Sequence, residues 1–439
     1  GAVRYEPSFL KQGSARTIIK ANFEHGDVSS NNPRSLPPLD LITPWFDTGT
    51  YQGTWKVSGT DISTGQPVVA GQPRTFKSLN QETFNPHQLQ DDNTGRENHG
   101  QVRPGINGGP NAGQPNPWFN PWIGNYGQMF GGPSFAYSDG SQTSASDRRI
   151  WEIKETRGIG PDGTIDRDIG SWAFHRPGGI ATQAAFARAA GLEFSEFGVY
   201  KDNQLTDPSI YDFYNNLIDG PNKSEWQDWD AFNVSLAQTF MNDKFGFEVT
   251  HNEEFYNNGQ LAFLSGNRQA INIDINNQFT DSTPDGGRVV GGEPHTNGTP
   301  NPNVGRPFIT DSGQFGNNSY ESERNSTRAT AFFTHDFNDE RSDNIFKRIL
   351  GSHTFTGLWA EDEQDTDSRN WQRYAIDDDN YFNFIGASPS TKFTDNNFAI
   401  NRAIYLGPSL LGKSIEGANI PRPTAVAGVS STTIHVFDS

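Results

Sequence analysis

From Phe232 to Phe240, Phe232, Val234, Leu236, Gln238 and Phe240 alternate with Asn233, Ser235, Ala237 and Thr239. A repeat of two puts successive side chains on opposite faces of a strand, bulky and greasy on one side, small and polar on the other. After Met241-Asn242-Asp243-Lys244 the alternation resumes, with Phe245, Phe247 and Val249 against Gly246, Glu248 and Thr250. Two such runs around a four-residue turn predict an antiparallel β-hairpin. Trp229 to Phe240, at about 3.3 Å per residue and a tilt near 40°, spans roughly 28 Å along a barrel axis, the height of an apolar band bounded by aromatics. A soluble β-sandwich would carry the same alternation.

Composition narrows the choice. Only 33% of the 439 residues are hydrophobic, and no run of some 18 apolar residues exists, which excludes helical membrane spans. Barrel strands hide their apolar half from any average, so a mean hydropathy of -0.72 does not count against them. A net charge of -18 argues against nucleic acid or anionic lipid as the main partner. With no cysteine there is no thiol nucleophile, disulfide framework or Cys-ligated metal.

Crossing strands are predicted near 4–11, 15–28, 229–240, 245–256, 320–337 and 349–361. Long polar segments, rich in Gly, Pro and Asn, are expected as loops near 29–228, 257–318 and 362–439. Within them, 149–157 reads as a short strand and 180–190 as a short helix, while Ile271, Ile273 and Ile275 alternate with Asn272, Asp274 and Asn276 in a strand too short to be a crossing. Connections that are short at one end and long at the other are the wiring of outer-membrane barrels, with turns periplasmic and loops extracellular.

The stretches LTDPSIYDFYNNLIDGPNKSEWQDWDAFNVSLAQTF (205–240), TPNPNVGRPFI (299–309), SHTFTGLWAEDEQDTDSRNW (352–371) and YLGPSLLG (405–412) resemble the barrel of TonB-dependent outer-membrane receptors, most closely the large, long-looped members. The resemblance implies a bacterial outer-membrane transporter for a bulky, scarce nutrient such as a glycan, siderophore or cobalamin. It implies a 22-stranded barrel, an N-terminal plug and energy from the inner-membrane TonB complex. Six crossings do not close such a wall, and no plug or TonB box is recognisable here. The expected fold is therefore all-β: a partial antiparallel transmembrane β-barrel wall, an open curved sheet with very long extracellular loops. Its expected partners are the remaining strands and plug of the receptor, TonB through that plug, and outer-membrane lipid. The alternative is a secreted carbohydrate-binding or glycan-degrading β-protein.

On this reading Phe232, Val234, Leu236, Phe240, Phe245, Phe247 and Val249 face lipid. The loop aromatics Trp45, Phe46, Trp118, Phe119, Trp122, Tyr126 and Trp172 are candidates for stacking on substrate, or else they pack the loops together. Acidic runs at 162–168, 362–367 and 377–379 lack EF-hand spacing and read as solvated charge. Gly158 to Gly163 satisfies G-x-G-x-x-G only in letter, because Pro161 and the absence of a following helix argue for a turn. No acid pair such as Glu361 and Glu363 is singled out, and no H-E-x-x-H occurs. Neither catalysis nor a cofactor or metal site is expected.

Overall fold

The computed structural model describes residues 1–79 apart from 12, 32, 57, 62 and 63. It also describes 114–115, 121–124, strand segments between 134 and 171, 179–264, 269–275, 277, 303–311, 317–337, 345–371 and 400–424. The chain is mostly antiparallel strand and divides into two units. No described helix is long and apolar enough to cross a membrane, which says nothing about crossing by strands.

The first unit is a six-stranded sheet of β1 (Ala2–Tyr5), β2 (Arg16–Ser30), β3 (Ser224–Phe240), β4 (Phe245–Leu261), β5 (Asn317–Asp336) and β6 (Ser352–Trp371). Spatial order equals chain order, so it is an up-and-down meander, open at β1 and β6. The connections β1–β2, β3–β4 and β5–β6 are short. All the remaining chain leaves from the other end of the strands.

The β3–β4 turn holds Met241, Asn242 and Asp243 in succession at φ 56, 55 and 64. That left-handed region is readily entered by Asn and Asp and costs more for Met.

Register sorts every side chain. Phe232 lies opposite Phe23 and Glu253, Leu236 opposite Ile19 and Val249, and Phe240 opposite Phe245, itself opposite Phe333. All seven apolar positions from Phe232 to Val249 therefore share one face. Phe232 and Leu236 are 38% exposed on it and Phe23 52%. Glu253 and Asn325 enter the Phe232 row, and the next rows out carry His25, Asp230 and Glu323, then Asp27, Asp228 and Glu321, so the apolar face gives way to an acidic one. Trp229 does not bound this band as expected. It stands an odd number of residues from Phe240 and belongs to the opposite, polar face, over Gly26.

Tryptophan lies over glycine twice in this sheet. A Cβ at Gly26 would sit 2.0 Å from the Trp229 ring, and one at Gly259 would sit 2.2 Å from Trp226. Glycine is required at these two positions because the facing ring occupies the space of its missing side chain.

The second unit, 33–223, 262–316 and 371–439, is assembled from the long connections. They are more than ragged loops. A second six-stranded sheet runs in the order Arg148–Ile153, Ser134–Ser138, Ile400–Tyr405, Pro307–Asp311, Ala270–Ile273 and Leu39–Leu41. Two of its pairings are parallel, Ala270–Ile273 with Leu39–Leu41 and Ile400–Tyr405 with Ser134–Ser138. The short Ile271 strand is buried on both faces. Helix α1 (Gln183–Ala190) forms where the alanines predict it. The Thr182 hydroxyl caps its first turn by accepting from Ala185 N at 3.1 Å, and Gly191 ends it at φ 67. Ile42, Trp45, Phe186, Leu205, Tyr211, Phe263, Ile271 and Ile309 join one core.

Candidate binding face of the sheet

The polar face of the first unit carries an ordered grid across β2, β3, β4 and β5. Its outermost row is Ser30, Glu225, Gln260 and Asn318. The next is Val28, Gln227, Asn258 and Tyr320, and the third is Gly26, Trp229, Tyr256 and Ser322. Neighbours within a row stand about 4.8 Å apart, and rows about 6.7 Å apart. A hollow of about 420 Å³ opens here, lined by residues of the first two rows together with Trp226 and Gly259.

Amides recur in the two outer rows of the grid. Gln227, Asn258, Gln260 and Asn318 each bring an amide, which donates through its NH2 and accepts through its carbonyl. Among the hydrogen bonds of the described residues, Asn258 Nδ2 donates to the Tyr256 hydroxyl at 3.2 Å, and the Gln227, Gln260 and Asn318 side chains make none. Tyr256 and Tyr320 lie with ring centroids 6.3 Å apart at 59°, and Trp229 stands directly opposite Tyr256. Glu225 is the one charged residue of the three rows. The nearest cation of these four strands on this face is Arg324, one row deeper, followed by Lys20 and Arg328.

The residues singled out from the sequence fall elsewhere. Trp45 and Trp122 are 1% and 3% exposed, so they are core residues of the second unit rather than stacking surfaces. Trp122 stacks on Phe186 at 3.8 Å, and Phe46 meets Trp45 edge-on at 5.2 Å. Trp118, Phe119, Tyr126 and Trp172 lie outside the described residues. The 362–367 acidic run is on β6 rather than in a loop, with Asp362 3.7 Å from Arg324 and Asp367 paired with Arg369. No group of three or more metal-ligating side chains occurs among the described residues.

Half of the grid, Ser30, Glu225, Gln227, Asn258, Gln260 and Asn318, lies in segments that the sequence assigns to loop but that are strand in the structure. Tyr256, Asn258 and Gln260 alternate with Phe255, Asn257 and Gly259, a period of two without a greasy side. That periodicity, continued past Val249, is the signal that would have found it. No protein-family model matches this chain, and no curated protein or solved structure is significantly similar to it.

Proposed function

We propose that this chain is a wall segment of a TonB-dependent outer-membrane receptor, its apolar face toward lipid and its polar face toward the lumen, serving active uptake of a bulky nutrient. The observation that carries the reading is the wiring of the meander: strands in chain order, short connections at one end, and every long excursion at the other. The two faces support it. From the Phe232 row to the Phe240 row is roughly 26 Å along the strand, or about 20 Å along a tilted axis, close to the apolar band of such barrels. β3 and β4, at 17 residues each, continue well beyond that band with acidic rows suited to water.

The alternative, a secreted soluble β-protein, has to bury the Phe232 face against another layer, whereas Phe23, Phe232, Leu236, Val249 and Phe333 are exposed on it among the described residues. The test is flotation of the chain, refolded from denaturant, with phospholipid vesicles. Co-flotation that resists carbonate extraction is expected; a monodisperse species in detergent-free buffer that stays at the bottom of the gradient overturns the reading.

A further inference from the structure

We propose that the amide and aromatic grid on the polar face is a binding site for a neutral oligosaccharide. The inference deepens the uptake reading, which makes this face the lumen side.

A sugar ring presents hydroxyls that donate and accept, and flat C–H patches that are apolar. Three amides without side-chain partners, Gln227, Gln260 and Asn318, match the first requirement, and Asn258 with the Tyr256 hydroxyl adds a fourth polar position. Trp229, Tyr256 and Tyr320 supply ring surface for the second. The three rows contain no Lys or Arg, so they offer an anionic ligand no counter-charge. Acidic glycans and negatively charged ferric chelates are thereby set aside in favour of uncharged sugar.

The experiment is isothermal titration of the full chain, folded in detergent micelles, with hexasaccharides of glucose, xylose, mannose and galacturonate and with a ferric tris-catecholate. At least one neutral hexasaccharide is expected to bind, and the galacturonate and the chelate to bind at least about tenfold more weakly. Gln227→Ala combined with Gln260→Ala is expected to weaken the neutral ligand about tenfold. Glu321→Gln, on the opposite face, is expected to leave it unchanged. Binding of none of the neutral probes overturns the proposal, as does preference for an anionic probe or insensitivity to the double substitution. Circular dichroism of each variant separates loss of the site from loss of the fold. Failure of the wall reading appears in vesicle flotation, a readout that sugar binding does not touch.

Discussion

At the scale of single residues, two glycines of the meander are constrained by the rings above them. Gly26→Ala and Gly259→Ala place a methyl group inside the Trp229 and Trp226 rings, and displacing either ring is expected to cost about 1–3 kcal/mol in denaturant unfolding. Gly357→Ala on edge strand β6, where a Cβ meets nothing within 4 Å, is the matched control, expected within about 0.5 kcal/mol of neutral. Tyr51 gives a pH-dependent counterpart in the second unit. Burial first, and its bond to the Asp47 carboxylate second, push its phenol up to about 12. The unfolded phenol releases its proton near 10, so between about 10 and 12 the folded state binds more protons than the unfolded one and stability falls as pH rises. Below that window the contribution is fully present. Tyr51→Phe is therefore expected to flatten the alkaline decline in melting temperature without changing its value at pH 7 by the same amount; an unchanged decline refutes the assignment.

At the scale of elements, the hairpin and the faces of its inner half were readable because one side of each strand is greasy. The outer halves were not. β3 begins at Ser224 and β4 ends at Leu261, beyond the predicted 229 and 256, because both faces there are wet and backbone pairing leaves no hydrophobic period to detect. The Trp229 boundary failed for a different reason: it joined aromatics of opposite parity. The second unit was hidden because its strands are short and pair across long sequence separations. Leu39–Leu41 meets Ala270–Ile273, and Pro307–Asp311 meets Ile400–Tyr405, and no local pattern records such partners. Its Trp45 and Trp122 were conspicuous in the sequence as aromatics in polar surroundings, yet those surroundings supply the core that buries them. One ion pair holds the long connections together. Arg34 donates through Nε and Nη2 to the two carboxylate oxygens of Asp219 at 2.7 and 2.9 Å, and through Nη2 to Leu264 O at 2.9 Å. Asp219→Ala removes the bidentate carboxylate from that buried guanidinium and is expected to cost about 3–5 kcal/mol, whereas Arg34→Met with Asp219→Leu is expected to cost less. Denaturant unfolding of the single and double variants compares the two.

At the scale of the whole molecule, the decisive question is whether either face of the meander meets lipid and, if so, which, and a charge on each face asks it directly. Val234 lies in the apolar band between Phe232 and Leu236, opposite Ala21 and His251. If the proposed wall is right, arginine there has to remain in hydrocarbon or climb to the acidic rows, so Val234→Arg is expected to destabilise the chain in bilayers by about 2–4 kcal/mol. The neighbouring Ser235 is a poor comparator, since it is 7% exposed and stands opposite Lys20, where a second cation is repelled whatever the membrane does. Ala237 is better: it occupies the polar face opposite Glu248, which can take an arginine as a cross-strand partner. Ala237→Arg is expected within about 1 kcal/mol of the parent. Urea titration of both variants refolded into vesicles of defined thickness measures the difference. A large loss at Val234 with little at Ala237 supports lipid on the Phe232 side. The reverse order would put lipid on the amide face and remove the hollow from any lumen, and equal small losses would mean that neither face contacts hydrocarbon. Because the two sites are three residues apart on one strand, local strand propensity and expression affect both alike, and the contrast between them reports the facing alone.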